Sequence, residues 1–265
     1  MSDRPLRASL AAAGCFLRSF PLFFFAAPKT PLRVLGIMAF DTLHVLRSSR
    51  PLSRKRIGEL AMALDFFACA NAACDHKELC EPEYQAVRQR LEQAGLGVCI
   101  DAHLDQLRVL ESRRPAIGGD DRRFREACLY REAVARLCVA TATAIALDAH
   151  SLEVAILATR FDSDVDALVR ILLQCQIIDD VLDYTEDLSA GLPTFLTASA
   201  SLSRALELTA TAARAYGAIS ERSSGNAVFP LRMALWAFTA VTTRVLRVAR
   251  WRHRYDCATV PAAIS

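Results

Sequence analysis

The chain has 265 residues, of which 53% are hydrophobic and 23% are charged, and its formal net charge is +3 at pH 7. This length and composition are typical of one large globular domain with a sizeable core, and they exclude a low-complexity disordered chain. The small and scattered positive charge gives no reason to expect nucleic acid as a partner.

Nine cysteines are present, an odd number, and no two of them are spaced as a CxxC pair. Cys128, Cys138 and Cys175 fall within apolar helical patterns, which predicts reduced cysteines packed in the core. We therefore expect a reducing, cytoplasmic compartment and no zinc site.

Residues 1–55 are expected to form an apolar and basic segment that packs on the main domain. Residues 20–27 read FPLFFFAA, and Arg18 interrupts the apolar stretch before them. This run is too short to span a membrane and makes a poor signal peptide, so we expect it to pack on the core or to touch a membrane.

For the basic cluster that follows, a solvated surface is the favoured interpretation, and contact with an anionic membrane or a substrate tail is the alternative. The cluster comprises Arg47, Arg50, Arg54, Lys55 and Arg56.

Helical periodicity dominates residues 56–265, and no run alternates convincingly in the manner of a strand. Capping residues, glycines and prolines divide this region into segments of helical length. We predict a single all-α domain of eight or more helices with short connections. In chain order, the predicted helices cover residues 56–94 with a break at Pro82, 101–112, 120 or 121 to 147, 162 or 163 to 191, 203–222 and 230–250.

The most informative stretch of the chain is QIIDDVLDYTEDLSAG, residues 176–191. It places Asp179, Asp183 and Asp187 four residues apart, directly after a mostly apolar segment. A four-residue step turns only about 40° around a helix, so a continuous helix aligns these carboxylates in one acidic column. A solvated surface is the usual interpretation of acidic helix residues, but the apolar segment before them favours a central helix. We therefore expect the acidic column to line a cavity and to bind a divalent cation.

The acidic column resembles the second metal-binding motif of class I isoprenoid synthases, which have the all-α terpenoid synthase fold. Asp179, Asp180 and Asp183 form a DDxxD string similar to that of trans-prenyltransferases, and residues 183–191 read DxxEDxxxG, as in squalene and phytoene synthases. The four-residue spacing is also similar to the metal-binding triad of microbial terpene cyclases. The resemblance implies a helical bundle around a central apolar cavity, in which three Mg2+ ions hold a prenyl diphosphate against the column.

The same resemblance implies further parts of the site. Asp75 and Glu78 would supply a first acidic motif, and the end of a surface helix is an equally good interpretation of this pair. Arg131, 48 residues before the column, stands where cyclases carry an arginine that senses the diphosphate, and an ion pair with a neighbouring helix is its alternative role. Arg254 and Tyr255 stand in the place of an Arg-Tyr pair that contacts the diphosphate.

Aromatic side chains would stabilise a carbocation in the implied cavity through cation–π contacts. Ordinary core packing is the simpler role for any one of them. The candidates are Phe66, Phe67, Phe229, Trp236 and Phe238.

The chain departs from each branch of the family. Asp179 and Asp183 stand where the cyclase triad has Asn and Ser or Thr. Leu182 replaces the arginine of the squalene-type motif, and Leu192 replaces the lysine expected after a prenyltransferase motif. The column therefore combines features of three branches.

The resemblance implies a Mg2+-dependent terpene synthase that ionises a linear prenyl diphosphate of the farnesyl or geranylgeranyl class. Asp179, Asp183 and Arg131 would act in the ionisation, and Asp187 would complete the metal ligands of the column. A head-to-head condensing enzyme of the squalene or phytoene synthase type is the alternative, followed by a chain-elongating prenyltransferase and a non-catalytic isoprenoid-binding protein. Peripheral membrane contact and a homodimer both stay open.

Overall fold

The computed structural model describes residues 31–76, 81–147, 151–218 and 229–259. Within these ranges the chain forms ten helices and no strand, which confirms the predicted all-α class. The helices are α1 (Pro31–Ser48), α2 (Arg54–His76), α3 (Glu81–Gln93), α4 (Gly97–Glu111), α5 (Asp121–Leu147), α6 (Leu152–Phe161), α7 (Ser163–Leu182), α8 (Tyr184–Ala190), α9 (Leu202–Gly217) and α10 (Phe229–Thr259).

Two predicted helix starts are set by aspartate caps. The Oδ1 atom of Asp120 accepts hydrogen bonds from the backbone N–H groups two and three residues further on, at 3.1 and 3.2 Å. Asp162 does the same before α7, at 3.0 and 3.2 Å. Each cap satisfies donors that the first turn of a helix leaves without a partner. Both predicted starts are therefore confirmed.

The sequence prediction misses α1 and α6. α1 packs against α2 and α5, so residues 31–48 attach to the main helical body. The domain boundary at residue 55 stays a prediction, and the apolar run of residues 20–27 lies outside the described residues. α6 has only ten residues, and its start is marked by Ser151, whose Oγ accepts a hydrogen bond from the N–H of Val154 at 3.2 Å.

α7 is the central helix of the bundle and contacts α5, α6, α9 and α10. One line of its side chains, spaced four residues apart, is fully buried: Val165, Val169, Leu173 and Ile177. We call this line the core stripe. The four-residue spacing keeps the core stripe on one side of the helix. A side chain of α7 is therefore more exposed the larger the angle around the helix axis between it and the core stripe.

The small residues of α5 serve close packing. Positions 139–146, an alanine- and threonine-rich run, are all buried against neighbouring helices. The described residues also form an open groove of about 740 Å³ on the outer side of α10. The central apolar cavity implied by the resemblance stays a prediction.

No single helix of the described residues is long and apolar enough to cross a membrane. Only α5 and α6, taken together across a sharp bend, have the necessary length and composition. The apolar residues of α5 in this pair are largely buried in the helical core.

Candidate functional site

The acidic column keeps its helical spacing across the break between α7 and α8. α7 ends at Leu182 and α8 begins at Tyr184, with Asp183 between them at φ −102° and ψ 12°. The helical hydrogen bonds nevertheless continue through the break, because the N–H of Asp183 donates to the carbonyl of Asp179 and the N–H of Asp187 to that of Asp183, each at 2.9 Å. The three aspartates therefore keep the four-residue helical spacing that the sequence predicts.

The acidic column lies at the surface rather than in the interior. Asp179 and Asp183 are exposed, and Asp187 is half-buried. The sequence predicts a column that lines a cavity, and the core stripe explains the difference. Asp179 follows Ile177 by two positions, about 200° around the helix, so its side chain points away from the core.

The adjacent residue, Asp180, is the one that enters the core. It lies only about 60° from the core stripe, and 2% of it is exposed. One carboxylate oxygen accepts a hydrogen bond from the Arg131 guanidinium of α5 at 2.7 Å, and the other accepts from the N–H of Phe195 at 2.7 Å. Asp180 therefore ties α7 to α5 and to the buried segment that follows α8.

Arg131 is the nearby positive charge. Its side chain is only 16% exposed, and its ion pair with Asp180 is the alternative role that the sequence left open. Its Nε is buried and has no hydrogen-bond partner among the described residues. Burial raises the pKa values of Asp179 and Asp187, and the charge of Arg131 opposes that rise, so Arg131 lies within electrostatic reach of the column. Arg131 and the four aspartates at 179, 180, 183 and 187 are together called the acidic centre.

The acidic centre has more negative charge than its arginine balances. Burial and, to a smaller extent, the neighbouring carboxylate of Asp180 raise the pKa of Asp187 to about 7 against the opposing charge of Arg131. Burial also raises the pKa of Asp180 to about 6 and that of Asp179 above its ordinary value. Carboxylates that resist ionisation in this way favour the uptake of a proton or another cation.

The donor set of the acidic centre fits a hard divalent cation, because Mg2+ prefers carboxylate oxygens. In the described part of the chain, however, no three Asp, Glu, His or Cys side chains converge closely enough to hold a metal ion. The structure describes only some of the further site residues that the resemblance implies. Four predicted positions lie outside the described residues, either entirely or in their side chains: Asp75, Glu78, Phe229 and Tyr255.

A second polar centre, formed by side chains of α5 and α7, was not expected from the sequence. Asp166 of α7 is buried and accepts hydrogen bonds from Arg136 of α5 at 3.2 Å and from Arg170 of α7 at 2.6 Å. Arg136 also donates to Glu132 at 2.8 Å and to the carbonyl of Thr159 in α6. The arginines at 136 and 170 and the acids at 132 and 166 are called the balanced centre. The sequence signal for the balanced centre is the presence of charged residues within an otherwise apolar helix.

The aromatic candidates occupy different environments. Phe66 is fully buried against Tyr84, with ring centroids 5.5 Å apart, and Phe67 stacks on the buried His103 at 4.6 Å. Phe238 is half-buried, whereas Trp236 is 67% exposed. Phe66 and Phe67 therefore have the core-packing role that was their alternative.

The remaining predicted residues lie apart from the acidic centre. Arg254 is exposed near the end of α10. Arg47 forms an ion pair with Asp162 at 2.6 Å, and Arg56 pairs with Glu59 at 3.1 Å. These pairs agree with a solvated surface for the basic cluster of residues 47–56.

The central cysteines have the properties of buried thiols. Burial raises the pKa of Cys128 and that of Cys138 to about 12, and that of Cys175 to about 11. The thiols therefore stay protonated near neutral pH, which suits core residues and not nucleophiles or metal ligands.

Comparison with known proteins identifies no relative of this chain. No protein-family model matches it, and no curated protein and no solved structure matches it either. The geometry of α5, α7 and α8 is therefore the basis on which a function can be proposed.

Proposed function

We propose that this protein is a Mg2+-dependent class I isoprenoid synthase that ionises a linear prenyl diphosphate of the farnesyl or geranylgeranyl class. The observation that supports the proposal is the acidic centre, in which three aspartates keep a helical four-residue spacing and the adjacent Asp180 pairs with the half-buried Arg131. The carbocation formed by ionisation is then cyclised or rearranged, and diphosphate is released.

In this proposal the exposed carboxylates of Asp179 and Asp183 and the half-buried carboxylate of Asp187 hold the metal. Bound Mg2+ supplies charge neutralisation for the departing diphosphate. Burial raises the pKa values of Asp179 and Asp187, and repulsion from the neighbouring carboxylates raises them as well. A cation beside these carboxylates would offset that repulsion. The residues thus gain stability from the cation that the reaction requires.

Arg131 is the proposed diphosphate donor, and Asp180 is its positioning residue. One Nη atom of the guanidinium donates a 2.7 Å hydrogen bond to the carboxylate of Asp180. The unpartnered Nε remains as a donor for a phosphate oxygen. An arginine fork held from one side presents its other N–H groups in a fixed orientation, which is how arginine stabilises developing negative charge.

A head-to-head condensing enzyme of the squalene or phytoene synthase type is the second catalytic candidate, and the DxxEDxxxG string of residues 183–191 favours it. A non-catalytic isoprenoid-binding protein is the candidate from another class. It is favoured by the ion pair between Arg131 and Asp180, which already engages part of the guanidinium.

Incubation with farnesyl and geranylgeranyl diphosphates and Mg2+ tests the proposal. Diphosphate release is measured, and the products are identified by gas chromatography and mass spectrometry. A single cyclic or rearranged hydrocarbon or alcohol supports the terpene synthase. A product that joins two substrates through their C1 atoms supports the condensing enzyme, and no release from either substrate excludes both.

The double variant Asp179→Asn/Asp183→Asn should reduce diphosphate release by about 100-fold or more, because it removes charge stabilisation of the leaving group. Asp105→Asn is the matched control. Asp105 is an exposed aspartate of α4 that pairs with Arg108 at 2.7 Å, and its replacement should leave release unchanged. Full activity in the double variant would exclude the metal role of the column.

A further inference from the structure

The solvent-facing side of α10 is apolar and basic over its whole described length. The exposed apolar residues include Met233, Trp236, Val241, Val248 and Trp251. They recur at helical spacing, opposite the buried Leu231, Leu235 and Leu246 that pack into the bundle. This outer face is therefore a continuous apolar surface that the rest of the described fold leaves uncovered.

The same outer face carries a concentrated positive charge. Four exposed arginines, at positions 244, 247, 252 and 254, are interleaved with the apolar side chains. No Asp or Glu occurs between residues 229 and 255. None of these four arginines forms an ion pair with an acid in the part of the chain that the structure describes. The charge of this face is thus available to an external anion.

An open groove of about 740 Å³ lies along this face. Among the described residues it is lined by the apolar surfaces of Trp236, Ala240 and Val248 and by the guanidinium side chains of Arg244 and Arg247. A groove that combines apolar walls with two cations fits a molecule with a hydrocarbon chain and an anionic headgroup.

We propose that the outer face of α10 docks this protein onto an anionic membrane surface. Tryptophan prefers the level of the lipid headgroups, where its ring is buried and its N–H stays hydrated. Arginine can bury its aliphatic stem among the acyl chains while its guanidinium reaches lipid phosphates. A helix with this combination lies in the plane of the interface and does not span the bilayer. The inference goes beyond the proposed catalytic function and does not depend on it.

A second copy of the chain fits this face less well than a membrane. Self-association through α10 would bring the unpaired arginines of two copies together without any acid between them, and like charges in contact repel. The other basic surface, at residues 47–56, is a weaker membrane candidate because Arg47 and Arg56 are paired with Asp162 and Glu59.

The two tryptophans of the chain, Trp236 and Trp251, provide a direct test. Both lie on the outer face of α10 and are 67% and 66% exposed, so intrinsic tryptophan fluorescence reports on this face alone. Vesicles of phosphatidylcholine and phosphatidylglycerol should shift the emission of the full-length protein to shorter wavelength, and brominated lipids should quench it. Pure phosphatidylcholine vesicles should have a much smaller effect, and added salt should weaken the response.

Flotation of the protein with the same vesicles measures binding in variants. Arg244→Gln/Arg247→Gln should weaken binding about tenfold, because each arginine near an anionic surface contributes to affinity. Arg108→Gln/Arg122→Gln removes the same charge from exposed positions of α4 and α5 and should bind like the parent protein. Circular dichroism verifies that every variant folds.

Three results would overturn the proposal. The first is equal binding to neutral and anionic vesicles, and the second is equal loss in the α10 variant and its charge-matched control. The third is an oligomer that Trp236→Ala/Trp251→Ala converts to a monomer in analytical ultracentrifugation, with no vesicle binding by the parent. That last outcome would assign the face to self-association.

Discussion

Helices α5 and α7 meet at two arginine–aspartate centres that differ in how their charges are compensated. The balanced centre has two arginines and two acids in direct contact, with Asp166 bonded to both Arg136 and Arg170. The acidic centre has one arginine, Arg131, for four aspartates, of which it pairs with Asp180 alone among the described residues. Both centres involve α5 and α7, and the acidic centre also includes Asp183 and Asp187 at the junction with α8 and within it. They differ in how many arginines stand against their acids.

Position on α7 increases the contrast. Asp166 lies in the first turn of α7, where the helix dipole favours a negative charge. Asp179 and Asp180 lie in its last turn, where the dipole opposes them and the turn itself contains no basic residue. The balanced centre is therefore arranged for stability. The acidic centre brings uncompensated negative charges together, which lowers the stability of the fold. A bound cation would reduce that cost.

The largest effect is expected when the balanced centre is broken. Asp166→Asn leaves Arg136 and Arg170 short of a counter-charge in a largely buried site, which should cost about 3 kcal/mol of unfolding free energy. Urea unfolding followed by circular dichroism measures this cost. The exposed control Asp105→Asn should change the unfolding free energy by less than about 0.5 kcal/mol.

Metal binding should stabilise the acidic centre. At ten times its dissociation constant, Mg2+ should raise the unfolding free energy by about 1.4 kcal/mol, because a ligand that binds only the folded state stabilises it by mass action. Thermal unfolding with a Mg2+ titration measures the effect. Asp179→Asn/Asp183→Asn should abolish the stabilisation, whereas Asp166→Asn should retain it; a response that survives in the column variant would place the ion elsewhere.

The pH dependence of stability should carry the signature of Asp187. Its pKa rises from 3.8 to about 7 on folding, so the folded state binds the proton more tightly than the unfolded state. Its contribution to stability is full below pH 3.8 and is lost as the pH rises toward about 7. Asp187→Asn should flatten the decline of unfolding free energy over this interval by up to about 1 kcal/mol after solvent screening. An unchanged slope would contradict the raised pKa.

The smallest effect is expected at Asp180, although it is more deeply buried than Asp166. Asp180→Asn keeps an oxygen that can accept the hydrogen bond from Phe195 and leaves Arg131 facing three carboxylates. The loss of one ion pair is offset by reduced repulsion, so the net change should be within about 1 kcal/mol. A loss as large as that in Asp166→Asn would mean that the two centres are energetically alike.

Much of the fold follows from local signals. The caps at Asp120 and Asp162 depend on neighbouring residues, so the sequence predicts them. α6 is missed because a ten-residue helix gives a weak periodic signal. α1 is missed because its burial depends on α2 and α5, which the local sequence does not specify.

The amino-acid sequence predicts that Asp179, Asp183 and Asp187 share one helix face, because helical geometry converts a four-residue spacing into a common direction. The contacts between helices determine that Asp180, and not the column, enters the core and binds Arg131, a residue 49 positions away. They also place Trp236 and Trp251 on an exposed face with arginines that form no ion pair among the described residues. The physical reason is that burial and ion pairing depend on which other helices lie against a given side, and spacing along one helix does not specify its neighbours.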